Sequence, residues 1–178
     1  VDYKKIFNTK NKKFIEEWLF MEDFSKYKYS KKHVLNWEID SLKTHPDCIN
    51  RIEKIKKFSP KDVKSNFTVD EVLKAKTFEI AKMELIYNLY YFKEYGHSLY
   101  ETLKLLKNDS QNPFLLKMMA KNVNELKTAK KEMKFNTYIP NVNPKIQTES
   151  EQRFYSFMNN ITVSEFERLS NDFNVLTK

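Results

Sequence analysis

The stretch "YGHSLYETLKLLKNDSQNPFLLKMMAKNVNEL", Tyr95–Leu126, decides the fold class of this 178-residue chain. In its first half, leucines at three- and four-residue spacing predict a helix of about three turns with one apolar side: Leu99, Leu103 and Leu106. The polar run "NDSQNP" ends that helix. Asn112 can then cap a second helix, with Pro113 in its first turn. Apolar residues give this second helix one side suited to burial, at Leu116, Met119, Ala120, Val123 and Leu126.

A longer apolar helix precedes this pair. The sequence "TVDE", Thr68–Glu71, is a capping box that can open it. Its apolar stripe is formed by Ala81, Leu85, Leu89 and Phe92. Because Ile86 and three tyrosines, Tyr87, Tyr90 and Tyr91, widen the stripe over several sides, we expect the helix to be buried between neighbours. Gly96, the only glycine of the chain, is expected to end it as a left-handed C-terminal cap.

Residues 69–131 therefore predict three successive helices, which fit two architectures. The part from Leu85 to Pro113 is spaced like one tetratricopeptide unit, with Ser98 at the small-residue position, although no second repeat follows. An antiparallel helical bundle fits the same pattern equally well. Both architectures are all-α with no significant sheet. The single glycine favours that class, because sandwiches, barrels and nucleotide-binding loops rely on repeated turns with positive φ.

The first part of the chain is also predicted to be helical. Asn11 can cap a helix over "KKFIEEWLFMEDF", residues 12–24, and "HVLNWEIDSL" predicts another helix over residues 33–42. A third helix follows in "THPDCINRIEKI", with its isoleucines on one side, which we expect to be buried. Residues 59–67 contain Pro60 and a polar run that interrupts the helical period, so they form the best internal boundary.

Two capping boxes predict short helices near the C-terminus, "TESE" at Thr148–Glu151 and "TVSE" at Thr162–Glu165. Apolar residues at helical spacing give each helix one side suited to burial: Phe154, Phe157 and Met158 in the first, and Phe166, Leu169 and Phe173 in the second. The segment before these two helices, "KFNTYIPNVNPKIQ", is expected to be irregular, because Pro140 and Pro144 prevent a continuous helix. Within it, Tyr138 and Ile139 are expected to lie against the bundle.

Composition limits the partners of the chain. Its formal charge of +8 comes from 32 basic and 24 acidic side chains, and the excess is lysine. Without an arginine cluster or a glycine-rich RNA motif, we expect a protein or peptide partner rather than a nucleic acid. No apolar run approaches the ~20 residues that cross a bilayer, so we expect any membrane association to come from segments upstream of this chain. Because it begins at Val1 rather than Met, we expect a processed or cut form.

Residues that could carry chemistry are scarce. A zinc hydrolase would place two histidines four residues apart on one helix, with a glutamate between them. The only histidines, His33, His45 and His97, form no such pair, so we expect no metal ligands and no cofactor in this chain. Cys48, the only cysteine, excludes an internal disulfide and lacks a basic partner in any recognisable nucleophile motif.

The stretch "SLKTHPDCINRIEKI" collects several of these scarce residues. On physical grounds it predicts a helix N-terminus, with Thr44 as cap, Pro46 in the first turn and Asp47 near the positive end of the helix dipole. It also resembles the "THP…RI" segment of HtpX-like and CAAX-prenyl-protease-like zinc metallopeptidases. In that family the zinc is held by an HExxH helix and a downstream glutamate. We find neither of these two elements in this sequence.

The resemblance implies roles for two residues six positions apart, His45 beside the zinc and Arg51 as the partner of the oxyanion. An imidazole or guanidinium at that place would stabilise the charge that develops on the carbonyl oxygen during hydrolysis. It further implies a bacterial parent protein at the membrane or in the cell envelope. That parent would be a zinc metalloendopeptidase, and this chain would be catalytically inactive alone.

Two assignments of function follow. In the first, residues 1–58 are the terminal helices of the metallopeptidase region, and residues 59–178 are a helical accessory domain that binds substrates or partners. In the second, the chain is a non-enzymatic helical scaffold or protein-interaction domain, and "THP" is only a helix cap.

Overall fold

The computed structural model describes residues 1–23, 48–58 and 70–175, and within these ranges the chain is all-α with no strand. This confirms the predicted fold class. The helices are α1 (Tyr3–Phe7), α2 (Cys48–Phe58), α3 (Glu71–Tyr91), α4 (Tyr95–Leu106), α5 (Pro113–Lys131), α6 (Glu149–Asn160) and α7 (Val163–Val175), with short 3-10 turns at Glu16–Leu19 and Phe135–Thr137.

The chain divides into two compact units, residues 1–24 with 75–178, and residues 25–74. The boundaries between these units lie after residues 24 and 74, whereas the boundary predicted from the sequence lies between residues 58 and 59. The assignment of residues 1–58 to a metallopeptidase-like region stays a prediction.

Helix α5 is the centre of the larger unit, where it packs against both α4 and α7. As predicted, Asn112 caps it, accepting hydrogen bonds from the backbone N–H groups of Phe114 and Leu115 at 3.0 and 3.2 Å. Its buried apolar side chains form one broad face of the helix: Leu115, Met118, Met119, Ala120, Val123, Leu126 and Ala129. The leucines predicted for α4 are buried against it, at Leu99, Leu103 and Leu106.

A buried polar contact connects α3, α4 and α5. The Ser98 hydroxyl of α4 donates to the backbone carbonyl of Ile86 in α3 at 3.0 Å. It also accepts a hydrogen bond from Asn122 Nδ2 of α5 at 2.9 Å. A larger side chain than serine would separate these helices. The three helices and their order are as predicted, and the tetratricopeptide-like alternative stays a prediction.

Gly96 does not end α3, so that prediction is wrong. The left-handed residue is Lys93, with φ 64°. Around it, the N–H of Glu94 donates to the carbonyl of Leu89 at 2.8 Å, and the N–H of Lys93 donates to that of Tyr90 at 3.0 Å. These are the two hydrogen bonds of a Schellman motif.

Gly96 instead lies in the first turn of α4, where the chain passes close to it. A Cβ at this position would be 2.1 Å from the backbone oxygen of Tyr138 and 2.8 Å from Cδ1 of Ile139. Ile139 is fully buried, as expected from the sequence. The glycine is therefore required by close packing rather than by its φ angle.

The predicted helix over residues 12–24 is also wrong. Only Glu16–Leu19 form a 3-10 turn, and the short helix α1 was not predicted at all. Asn11 does not cap a helix, because its backbone N–H donates to Asp172 of α7 at 2.9 Å and its side-chain amide donates to the same carboxylate. Tertiary hydrogen bonds thus replace the helical ones in this segment.

Aromatic packing attaches residues 1–20 to α6. The ring of Phe157 lies at its centre, with ring centroids 4.4 Å from Tyr3, 4.9 Å from Phe7 and 6.0 Å from Trp18. Phe157, Phe7 and Trp18 are buried almost completely. This burial places the N-terminal segment in the same compact unit as α4 to α7.

Both C-terminal capping boxes form as predicted, and the second has a further role. Besides capping α7 with Thr162, the Glu165 carboxylate pairs with Lys12 at 2.9 Å and accepts a hydrogen bond from Trp18 Nε1 at 3.2 Å. Burial by itself raises the pKa of Glu165, but its contacts with Lys12, Thr162 and Trp18 outweigh that effect and lower the pKa to about 2.

At the start of α3 the cap differs from the predicted one. The Asp70 carboxylate accepts hydrogen bonds from the N–H groups of Val72 and Leu73 at 2.9 and 3.1 Å, which makes it the N-terminal cap. Thr68, the predicted cap, lies outside the described residues. Aspartate suits the cap position, because its carboxylate accepts these hydrogen bonds and also interacts favourably with the positive end of the helix dipole.

The roles of Gly96 and Lys93 can be tested by two separate substitutions. We expect Gly96→Ala to lower the free energy of unfolding by about 1–3 kcal/mol, because overpacking outweighs the better helix propensity of alanine. Lys93→Gly should raise it by about 1 kcal/mol by removing left-handed strain. Urea denaturation measures both changes. A stabilising effect of Gly96→Ala would contradict the close contact with Tyr138.

The Glu165 contacts predict a pH-dependent effect. Glu165→Gln should lower the free energy of unfolding at pH 7 by about 1.5–3 kcal/mol, since charge-assisted hydrogen bonds are lost. Because the folded-state pKa is depressed, that stabilisation is present above the ordinary value of 4.5 and disappears as the pH falls toward about 2.

The measurement is urea denaturation of both proteins between pH 7 and pH 3. Glu167→Gln is the matched control. Glu167 lies in the same helix as Glu165 and pairs with Lys131 of α5, and both side chains of this pair are about half-exposed. Its loss should therefore have a much smaller effect on the free energy of unfolding. An equal loss in the two variants, or a loss that does not narrow at low pH, would refute the role of Glu165.

Candidate functional site

Of the two residues predicted from the peptidase resemblance, the structure describes Arg51 alone. His45 lies outside the described residues. Arg51 lies in α2, in the smaller unit, and its side chain is exposed. Ile52 and Ile55 are exposed as well, so the expectation that the isoleucines of α2 are buried is wrong for these two.

Metal and membrane features are absent from the part of the chain that the structure describes. Within residues 1–23, 48–58 and 70–175, no group of three or more His, Cys, Asp or Glu side chains could hold a metal ion. In the same ranges, no helix has the length and apolarity to cross a membrane. His97 lies on the surface, 3.3 Å from Glu94. The zinc of the presumed parent protein stays a prediction.

Lys130 has the most perturbed amine among the described residues, but its contacts are structural. Burial lowers the pKa of Lys130 to about 8, although the charge of Glu165 opposes this shift. The ammonium group donates to the carbonyl of Asn159 at 3.1 Å and to that of Ile161, at the C-terminal end of α6. It also lies 4.4 Å from the ring centroid of Phe135. Lys130 therefore caps α6, with its protons directed at carbonyl oxygens rather than at an open cavity.

The unusual surface of the larger unit is helix α3. The sequence predicted a buried helix, but Ile86 is its only fully buried residue, and residues 71–82 are exposed on every side. Large apolar side chains are exposed along its whole length: Val72, Leu73, Phe78, Ile80, Leu85, Tyr87 and Tyr91, followed by Phe92. The expectation of a helix covered on several sides is therefore wrong, since Ile86 is the only buried residue of α3.

These side chains form two stripes on either side of the packed face. Phe78, Leu85 and Phe92 are seven residues apart, which places them along one side of the helix. Phe78 is 59% exposed and Phe92 is 72% exposed. Ile80 and Tyr87, also seven residues apart, lie along the other side. Six of the exposed apolar residues lie in the larger unit, and we call them the α3 apolar surface: Phe78, Ile80, Leu85, Tyr87, Tyr91 and Phe92.

Contacts with α4 and α5 hold the last turns of α3 in place. The Tyr90 hydroxyl donates to Glu125 of α5 at 3.4 Å, and its ring lies 5.4 Å from that of Tyr95. Lys121 Nζ lies 5.3 Å from the Tyr90 ring centroid. Burial raises the pKa of Tyr90, and the Glu125 charge adds to that effect. The helix is thus fixed at its C-terminal end.

A shallow groove of about 500 Å³ runs beside this surface, where α3 meets the start of α5. It is lined by Ile80, Met83, Glu84, Tyr87, Asn88 and Phe114. Sequence periodicity identified the apolar character of α3 correctly. It could not tell a helix covered by its own chain from one left uncovered, because both have the same pattern.

A scan against protein-family models, a search of the curated proteins and a search of the solved structures each found no match for this chain. The surfaces and contacts of the described residues are therefore what bears on its function.

The exposure of α3 predicts unequal effects of two substitutions on the same helix. Phe78→Asp should change the free energy of unfolding by no more than about 0.5 kcal/mol, because exposed positions contribute little. Ile86→Ala should lower it by about 2–5 kcal/mol, because Ile86 is fully buried. Urea denaturation of the two variants measures this difference. A large loss of stability with Phe78→Asp would mean that Phe78 belongs to the core.

Proposed function

We propose that the chain is a non-enzymatic helical module that binds a partner protein through the α3 apolar surface. The observation that supports it is the exposure of Phe78, Leu85 and Phe92 along one side of α3. A helix of this kind is normally covered by other helices. Contiguous exposed apolar surface on a protein marks an interaction site.

The energy available at this surface is sufficient for specific binding. Full burial of one large apolar side chain contributes about 1.5–3 kcal/mol. Aromatic residues dominate binding energy at interfaces, and Phe78, Tyr87, Tyr91 and Phe92 are all exposed here. Tyr91 and Phe92 already contact each other edge to face, with ring centroids 5.4 Å apart. Little reorganisation of these two rings is needed on binding.

Charge favours an acidic partner over a second copy of the chain. Helix α3 itself is balanced, with Lys74, Lys76 and Lys82 against Glu71, Glu79 and Glu84. The whole chain carries a formal charge of +8, so two copies repel each other while an acidic protein is attracted. The partner we propose has a net negative charge and an apolar helix or groove that accepts the α3 apolar surface.

Photo-cross-linking in the native cell can identify this partner. A photoreactive phenylalanine analogue replaces Phe78, and in a control protein it replaces Lys104, an exposed residue of α4. A protein cross-linked only from position 78 is then purified, and its Kd is measured by calorimetry. Equal cross-linking from the two positions would argue against a docking surface on α3.

The binding measurement compares three forms of the chain. The double variant Phe78→Asp with Leu85→Asp should weaken binding at least tenfold, equivalent to about 1.4 kcal/mol. Ile146→Asp, at an exposed apolar residue outside α3, should not weaken it. Association should slow as salt is raised. Unchanged binding by the double variant would refute the proposal, as would self-association in sedimentation that the double variant abolishes.

The metallopeptidase assignment remains a separate prediction, based on the resemblance of "THP…RI" alone. It is tested in the natural protein by its peptidase activity and zinc content. His45→Ala and Arg51→Gln should abolish turnover and leave the helix content unchanged. Retained turnover in both variants, or the lack of any peptidase activity and zinc, would eliminate it.

A further inference from the structure

We infer that a cleft between α1, the α4–α5 turn and α7 binds an anionic single-chain amphiphile, a carboxylate with an unbranched alkyl tail. The cleft has a volume of about 430 Å³ and is separate from the α3 apolar surface. It lies wholly within the larger unit. Its volume is at the lower end of the range for small-molecule sites, about 300–1,000 Å³, which favours one alkyl chain over two.

The floor of the cleft is apolar and comes from separate elements. Leu106 of α4, Met119 of α5 and Phe173 of α7 line it, and all three are almost fully buried. Ile6 of α1 and Leu116 of α5 are half-buried walls. An alkyl tail that enters here exchanges contact with water for contact with these side chains, so the free energy of binding should grow with tail length.

The rim supplies the charge complementarity that selects the head group. Lys5 of α1 and Lys107 after α4 both line the cleft and are exposed. Neither ammonium group has an acidic or hydrogen-bonding partner in the described ranges. Ser110 and Gln111 add side-chain donors on the same rim.

One carboxylate also belongs to this rim, and its role is local. Asp2 caps α1, where its Oδ1 accepts a hydrogen bond from the backbone N–H of Lys5 at 3.0 Å. With two lysines against one aspartate, the rim keeps a net charge of +1. A single carboxylate matches that charge, and an apolar tail matches the floor.

The experiment titrates the full chain with octanoate, decanoate and dodecanoate, each below its micelle concentration. Carbon-labelled methionine methyl groups report on the site by NMR, because Met119 lies in the floor. We expect the Met119 signal to shift and the Kd to fall about fourfold for each added methylene group. Decanol and decyltrimethylammonium, whose alkyl chains are one carbon longer and carry other head groups, should bind more weakly than decanoate despite that extra carbon.

Two variants distinguish a site that selects the carboxylate head group from a cleft that binds any apolar tail. Lys5→Gln with Lys107→Gln should weaken decanoate binding at least fivefold and leave decanol binding unchanged. Lys117→Gln is the matched control, an exposed lysine of α5 that does not line the cleft, and it should leave both unchanged. Three outcomes would overturn the inference: no shift at Met119, equal affinity for decanoate, decanol and decyltrimethylammonium, or decanoate binding that the lysine double variant leaves intact.

Discussion

The burial of α5 against two helices is the constraint on which the larger unit depends. This helix packs on both α4 and α7, so its apolar face must be broad while its exposed remainder stays polar. The Asn112 cap with Pro113 fixes where the helix starts, and therefore which residues face each neighbour. The Ser98–Asn122 hydrogen bond then sets its distance from α4. Helix α3 and the last helix pair are placed relative to this frame.

The N-terminal segment shows how tertiary contacts can outweigh local helix propensity. Its residues carry a helical apolar pattern, yet most of them are not helical, because two carboxylates of α7 bind the segment directly. Asp172 accepts from Thr9 and Asn11, and Glu165 binds Lys12 and Trp18. Buried carboxylates need such partners. The fold brings donors to these two carboxylates from the N-terminal segment, more than 140 residues away in the sequence.

Helix α3 gives the larger unit its most distinctive surface. Its C-terminal end is held by Tyr90 and by the Ser98 contact with the Ile86 carbonyl, while the Phe78 and Leu85 side remains open. An apolar surface held at one end of a rigid helix is suited to docking, because the anchoring side chains lose little further freedom on binding. The chain's positive charge would then steer an acidic partner toward it. In the function we propose, binding depends on the apolar side chains of α3 that this fold leaves exposed.

Sequence alone determined the all-α class, the order of α3 to α7, both C-terminal capping boxes and the buried residues of α4, α6 and α7, because helical periodicity and capping are local properties. The reason for the only glycine was not local: Gly96 is set by the approach of Tyr138, and the left-handed turn is made by Lys93. Neither the α3 apolar surface nor the cleft beside α1 could be located from the pattern. Whether an apolar side chain is covered depends on which distant segment reaches it, and only the tertiary structure decides that.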